Sequence, residues 1–354
     1  MPRVLCKTKH FQVAVKIREI ANTLPPGAPL PVASELTERL SVSHGTVMQA
    51  LRQLADDGVI VRPFGRKRYV ISACNPGITH RICIIRPDFS SADLDNIIQQ
   101  IYNEGSRNGW LFDHHFFKDW RGVDFATLSC THDAVILLPP SEAMSADFMS
   151  ALAKPRRPVL VLEQHLPDKS LLGVHVDDFR VGYLGAEALL KHGHRRIAFF
   201  KDQPSESTMT QRYAGFRAAL TDYGIDWNEE LLLDSRIISF QDSLTIGYNF
   251  LKERFAAEGI RFTGVFTASL SGGMSMLRAL RERGISVPGE VGVVAYGGET
   301  SFCDYLNPAL TSIDINAAEY GVRVVDLLTA VLQGKDPSCR QIALAPKLVL
   351  RDSL

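Results

Sequence analysis

Two sets of residues in this 354-residue chain have the types and spacing to do chemistry. The first is the polar run Ser43-His44-Gly45-Thr46, with Met48, Gln49 and Gln53 following at helical spacing. On a helix these side chains project from the opening turns, the part that meets base edges when a helix enters the major groove. Gln49 carries the paired donor and acceptor that read adenine bidentately. Gly45 lets the backbone approach a phosphate. Arg66-Lys67-Arg68 adds three adjacent cations. Such cations contact phosphates or the minor groove, and supply salt-dependent affinity more than sequence choice. The plain alternative is a small helical domain with a solvated charged loop.

The second set suits a small polar ligand. The fixed fork of Arg212 matches adjacent hydroxyls or a carboxylate, and Thr208 lies one turn before it. Asp88 follows the apolar run Arg81-Ile82-Cys83-Ile84-Ile85, where polar groups face a cleft; a helix N-cap is its other reading. Phe240 could stack on the apolar face of a sugar or sit in a core. Arg212 could also be a surface salt bridge.

Enzyme chemistry lacks its usual carriers. There is no G-x-x-x-x-G-K-[ST] or G-x-G-x-x-G phosphate cradle and no G-x-S-x-G elbow. Asp113-His114-His115 is a poor metal site, because adjacent histidines point apart on a strand. His192-Gly193-His194 reads as a turn. Ser271-Gly272-Gly273 opens a helix whose backbone N–H groups could hold a phosphate. The expectation is no catalytic residue, no metal and no cofactor.

The elements that must position these residues divide the chain. The length implies two or three domains, and 45% apolar residues indicate a globular protein. No run approaches the roughly 18 apolar residues of a membrane helix, and no apolar segment follows the basic start, so a cytoplasmic protein is expected. Six scattered cysteines, none in C-x-x-C, read as free thiols. The net charge is zero, yet residues 1–72 hold eleven Lys and Arg against five Asp and Glu, leaving +6 there and −6 on the remainder. A basic head on an acidic body points to nucleic acid.

Within the head, Phe11, Val13, Ile17, Ile20 and Leu24 form one apolar stripe, so residues 10–23 read as a helix ended by Pro25-Pro26-Gly27. A short helix follows over Ala33 to Leu40. A third starts at the N-cap Ser43, with Val42 and Val47 as its staple and Gly58 as its stop. Val59-Ile60-Val61 and Tyr69-Val70-Ile71 flank a basic hairpin tip. This is the layout of a winged helix.

Leu30-Pro31, Glu35-Leu36, Ser43, Thr46-Val47, Ala50-Leu51, Leu54, Gly58, Gly65 and Tyr69-Val70 resemble the winged-helix domain of GntR-type regulators over about residues 8–72. The resemblance implies DNA contacts from Ser34, Ser43, His44, Gly45, Thr46, Gln49, Arg66, Lys67 and Arg68. The family usually has arginine where this chain has Ser34, His44 and Met48, and glycine where it has Lys67.

Residues 73–79 form a turn-rich linker. Beyond it strands alternate with helices, and His194-Arg195-Arg196-Ile197-Ala198-Phe199-Phe200 echoes His80-Arg81-Ile82-Cys83-Ile84-Ile85. Alternation implies parallel sheets covered on both faces, and the restart implies two α/β lobes with a cleft between them or at the carboxyl ends of their strands. Lobe 1 is expected over 80–192 and 310–335, lobe 2 over 193–309 and 336–354.

Pro87-Asp88-Phe89-Ser90, Val176-Asp177-Asp178, Gly182-Tyr183, Gly193-His194-Arg195-Arg196-Ile197, Gln211-Arg212-Tyr213-Ala214-Gly215-Phe216, Val287-Pro288 and Leu310-Thr311-Ser312-Ile313 resemble the effector domain of LacI/GalR repressors over about residues 80–354. That domain is similar to periplasmic sugar-binding proteins, two lobes crossed by three strands. A GntR-type head on such a body resembles the arabinose-repressor architecture. It implies a homodimer in which a sugar or related metabolite alters cleft closure and so the spacing of two heads on double-stranded operator DNA. The effector-binding set it implies is Asp88, Glu163, Thr208, Arg212, Phe240, Ser269 and Tyr296. Where the family has Asn-Asp and Asp-Asp, this chain has Ser269-Leu270 and Gly297-Gly298. Each lost anchor is worth about 0.5–1.5 kcal/mol, so the effector is expected not to be a simple hexose held in the usual way, or to bind weakly. The reading is a ligand-responsive transcriptional repressor. Its rivals are a small-molecule-binding protein whose head no longer reads DNA and, more remotely, a sugar-processing enzyme.

Overall fold

A computed structural model describes residues 9–25, 27–56, 59–62, 68–71, 79–89, 91–124, 128, 131–139, 152, 157–204, 207–297 and 301–354. Arg66, Lys67, Gly58, Gly65, Ser90, Gly298, residues 73–78 of the linker, and Cys6, Cys74 and Cys130 lie outside the described residues.

The head begins with α1 (Lys9–Asn22), α2 (Ala33–Leu40) and α3 (His44–Asp56). Their apolar stripes meet in one cluster: Val13, Ile17 and Ala21 from α1, Leu36 from α2, and Val47, Ala50, Leu51 and Leu54 from α3. The spacing is that of a one-sided helix. Each fully buried aliphatic side chain contributes roughly 1.5–3 kcal/mol. Ser43 Oγ accepts from the Thr46 N–H at 3.3 Å and so starts α3. Val42 packs on the same cluster as Val47, as a staple does. Strands β1 (Ile60–Val61) and β2 (Val70–Ile71) pair antiparallel, and Leu30 N–H donates to Tyr69 O at 2.9 Å, tying the segment after α1 to the wing.

The body is built on two six-stranded sheets. The first takes β3 (His80–Pro87), β4 (Trp110–Phe117), β5 (Ala134–Leu137), β6 (Val159–Leu162), β7 (Leu172–Val176) and, late in the chain, β13 (Gln341–Leu344). All its pairings are parallel. Strands β5 to β7 are buried along their whole length, which is why they read as unbroken apolar runs rather than alternating ones. The second sheet takes β8 (Ile197–Lys201), β9 (Leu232–Asp234), β10 (Gly264–Thr267), β11 (Gly292–Tyr296), β12 (Thr311–Asp314) and β14 (Lys347–Val349), with only β14 antiparallel. Helix α4 (Ala92–Arg107) lies in the first lobe. Helices α5 (Asp178–Lys191), α6 (Ser207–Asp222), α7 (Ser243–Glu258), α8 (Leu270–Glu282) and the short α9 (Ser301–Tyr305) lie in the second. Helix α10 (Ala317–Leu332) returns to pack on α4.

The lobe boundaries differ from those expected. Helix α5 packs on α6, β10 and β11 and so belongs to the second lobe, which moves the first crossing from residue 192 to Asp177. Thr311–Asp314 pairs with β11 in the second sheet, not the first. Gln341–Leu344 pairs with β7 in the first sheet, not the second. The chain therefore crosses between lobes at residues 177, 315–316 and 345–346. The reason is pairing register: similar apolar strands are assigned by long-range partners, which local pattern does not specify.

Helices α5 and α6 approach backbone to backbone. A β-carbon on Gly182 would collide with the carbonyl of Arg212, and one on Gly215 with the carbonyl of Phe179. The two glycines thus fix where α6 presents Arg212.

Candidate functional site

On the head, Ser43, His44, Gly45 and Gln49 are exposed on the opening turns of α3, and Ser34 is exposed on the first turn of α2. Thr46 is half-buried, its hydroxyl 2.8 Å from Ser43 Oγ. Met48 departs from the expected surface set: it packs against the head's apolar cluster. A β-carbon on Gly45 would meet nothing within 4 Å. No packing inside the head therefore requires glycine there, although glycine costs up to about 1 kcal/mol in a helix. Arg68 is exposed beside the wing, and the Arg62 guanidinium lies 5.9 Å from the Tyr69 ring centre.

In the body, the candidate side chains gather at the carboxyl ends of parallel strands, where open α/β sheets bind ligands. Glu163 follows β6, Asp178 follows β7, Asp202 follows β8, Ser269 follows β10 and Tyr296 ends β11. At their centre is Arg212, only 7% exposed. Its Nε donates to Asp178 Oδ1 at 2.6 Å, its Nη1 donates to Ala268 O at 2.9 Å, and its guanidinium lies 3.7 Å from the Tyr296 ring centre. Burial works against the guanidinium's charge, but Asp178 and the Tyr296 oxygen hold it firmly protonated. Asp178 is also 3.3 Å from His165 Nε2. His165 lies against the His175 ring at 4.2 Å, and burial pushes His175 down to about 4.

Glu163 faces Arg212 from the other lobe. Its backbone is held at φ 55, in the left-handed region that a glutamate seldom adopts. Its N–H reaches Val174 O and the Tyr320 hydroxyl, and that hydroxyl donates onward to Val174 O. Burial, with Asp178 adding, pushes its carboxyl up to about 7. Its Oε1 is sealed from solvent and has no hydrogen-bond partner.

Ser269 carries a different duty from the expected one. Its Oγ caps α8, accepting from Gly272 N–H at 3.1 Å, and donates to Asp202. Asp202 is fully buried, and burial pushes its carboxyl up to about 6 against hydrogen bonds from Ser269 and Gln203. Leu270 is buried in the core of the second lobe. The phosphate reading of Ser271-Gly272-Gly273 is corrected as well: a β-carbon on Gly272 would lie 2.6 Å from the Asp202 carboxyl carbon, so a carboxylate already fills that helix N-terminus.

The remaining expected residues lie farther out. Asp88 is mostly exposed, 3.6 Å from Lys118, and Ser91 rather than Asp88 stands at the N-cap of α4. Thr208 is half-buried on the first turn of α6. Phe240 holds φ 66, is 39% exposed, and meets Phe89 of the first lobe edge to face at 6.1 Å. Asp113-His114-His115 lies on β4, where Asp113 binds Arg81 and His132 while His114 stacks on Tyr102. Burial raises the Cys83 thiol to about 12; Cys83 and Cys303 are buried and free, whereas Cys339 is exposed and free.

Asp93, Asp178, Asp202 and Tyr320 were not among the candidates. Asp178 stood in a quoted motif, and its place directly after a strand was the available signal. Asp93 had none: its carboxylate, from the first turn of α4, fills the space where a β-carbon of Gly297 would stand.

Residues 12–70 match the family described as bacterial regulatory proteins, gntR family, and residues 186–354 match the periplasmic binding protein-like domain. The chain is 28% identical to the HTH-type transcriptional regulator AscG of Escherichia coli K12 over 63% of this chain and 63% of that protein. It thus spans less than two thirds of that relative's length. A LacI family transcriptional regulator from Enterococcus faecium, solved with bound ribose, superposes with a TM-score of 0.66 at 26% identity, over 77% of this chain and 98% of that one. A transcriptional regulator CelR–cellobiose complex superposes with a TM-score of 0.66 at 21% identity, over 91% of this chain and 99% of that one, a likeness of fold. No helix among the described residues is long and apolar enough to cross a membrane. Residues 12–70 are thus similar to the bacterial gntR family of regulatory domains, and residues 186–354 to the periplasmic binding protein-like domains.

Proposed function

We propose that the chain is a cytoplasmic, homodimeric transcriptional repressor whose head binds double-stranded operator DNA and whose interlobe cleft binds a sugar or related metabolite. The observation that carries this reading is the joining, in one chain, of an exposed polar recognition surface on α3 to a cleft centred on buried Arg212. Ser34, Ser43, His44, Gly45, Thr46, Gln49 and Arg68 form the DNA-facing set, with Arg66 and Lys67 expected at the wing tip. Glu163, Arg212 and Tyr296 form the inner effector set, with Asp88, Thr208 and Phe240 at its rim and Ser269 holding Asp202 in place. The ribose and cellobiose held by the two superposed regulators support a sugar-sized effector.

A gel shift over a salt series tests the reading, with the region upstream of the chain's own gene against random duplex. Expected is specific binding that weakens steeply with salt. Equal affinity for random DNA at every salt concentration would leave a ligand-binding body with a head that no longer reads sequence. The substitutions at Ser34, His44 and Met48 make that the pertinent rival.

A further inference from the structure

The cleft is acidic beyond the needs of the one guanidinium among its described residues. Glu163 lies within electrostatic reach of Asp93, Asp178 and Arg212, and Asp202 is within reach of Arg212 from the second lobe. Arg212 is already engaged by Asp178, Ala268 O and the Tyr296 face. Two carboxyl oxygens have no hydrogen-bond partner though both are sealed from solvent: Glu163 Oε1 from the first lobe and Asp202 Oδ1 from the second. A buried polar atom left unpaired costs about 1–3 kcal/mol, so these two atoms mark where donors of a ligand belong.

Two further positions fit the same reading. Gly272 leaves room for the Asp202 carboxylate, and Gly297 leaves room for that of Asp93. Any side chain at either glycine would collide with an acid. An anionic ligand would meet four acidic side chains around one engaged guanidinium. A neutral polyol could satisfy the two open oxygens but would do little to stabilise their ionised forms. Hydrogen bonds between ions are about twice as strong as those between neutral groups.

We propose that the cleft takes a ligand presenting a protonated amine among hydroxyl groups, an amino sugar or amino polyol, with Glu163 and Asp202 receiving its donors. This rests on the cleft being the effector site. The carboxyl protons give a second signature. The groups facing Glu163 are Asp93 and Tyr320 from the first lobe, Asp178 at the crossing, and Arg212 and Tyr296 from the second lobe. Glu163 keeps its proton up to about pH 7. An arriving ammonium lowers that value, so binding releases a proton.

Titration calorimetry on the full chain at pH 6.5 tests this with glucosamine and galactosamine against glucose, galactose and N-acetylglucosamine. Expected is at least tenfold tighter binding of an amino sugar than of its neutral counterparts. The binding heat should also vary with the ionisation enthalpy of the buffer in the sense of proton release. Glu163→Gln, and separately the isosteric Asp202→Asn, should each weaken amino-sugar binding at least tenfold; circular dichroism and thermal melting verify folding. If Asp202→Asn does not fold, Glu163→Gln alone decides. Neutral sugars binding as tightly as the amino sugars would overturn the proposal, as would no amino-sugar binding at millimolar concentration or no proton release. A neutral sugar that binds as tightly as the amino sugars and changes DNA affinity would overturn the amine preference while leaving the cleft as effector site. Failure of all five sugars to bind would overturn the proposal, and DNA binding in the gel shift would still be judged separately.

Discussion

At the scale of single residues, Glu163 shows how the fold sets chemistry. A left-handed backbone, two hydrogen bonds from its N–H and a sealed Oε1 place one carboxyl opposite Arg212 and raise it to about 7. The unfolded chain loses that proton near an ordinary carboxylate value, whereas the folded chain keeps it. Between about pH 4.5 and 7 the folded state therefore binds more protons, and stability falls as pH rises through that interval. Glu163→Gln removes the titration. Urea unfolding of the variant should show a flatter pH dependence and a gain of about 1–3 kcal/mol over the parent at pH 8. An unchanged slope would mean that Glu163 ionises normally. Of this site, Glu163 and Arg212 were legible in the sequence through motif and strand order. Asp93 was not, because its meeting with Gly297 depends on two lobes closing around one another. Gly297 read as a lost anchor, whereas its space holds a carboxylate from the opposite lobe.

At the scale of elements, local signals were enough wherever a segment carries its own start and stop. The helix over Ala33 to Leu40, the Ser43 cap and the buried face of α3 follow from spacing and capping alone. The strands at 311–314 and 341–344 exchanged sheets because partner choice is not local. Strand β4 was not recognised as an element in its own right, since its polar middle, Asp113-His114-His115, breaks the apolar run that marked its neighbours. Helix α3 also carries a conflict between stability and use. Gly45 weakens its first turn, yet nothing within the head occupies the space beside it. Gly45→Ala should therefore raise head stability by up to about 1 kcal/mol in thermal melting. The added methyl should weaken operator binding in the gel shift severalfold, because it stands on the proposed DNA-facing surface. A stabilised variant with undiminished DNA affinity would remove Gly45 from the interface.

At the scale of the whole molecule, a net charge of zero divides into a +6 head and a −6 body, as the two different partners proposed for them require. Coupling between them has to pass through the relation of the two lobes, which meet at three chain crossings and across the cleft. Phe89 from the first lobe and Phe240 from the second make an edge-to-face contact at the cleft's rim. Such a pair is worth about 0.5–1.5 kcal/mol beyond the area it buries. Phe240 is held there by a backbone at φ 66, a conformation that bulky residues seldom take and that implies a specific placement. The contact exists only while the lobes are close, so it favours the closed arrangement by that amount. Phe240→Ala removes the ring and leaves the crossings intact. Small-angle scattering of the ligand-free variant should show a larger radius of gyration than the parent. Any sugar that binds the parent should dissociate from the variant about two- to tenfold faster. An unchanged radius together with an unchanged dissociation rate would show that the two rings touch without contributing to closure.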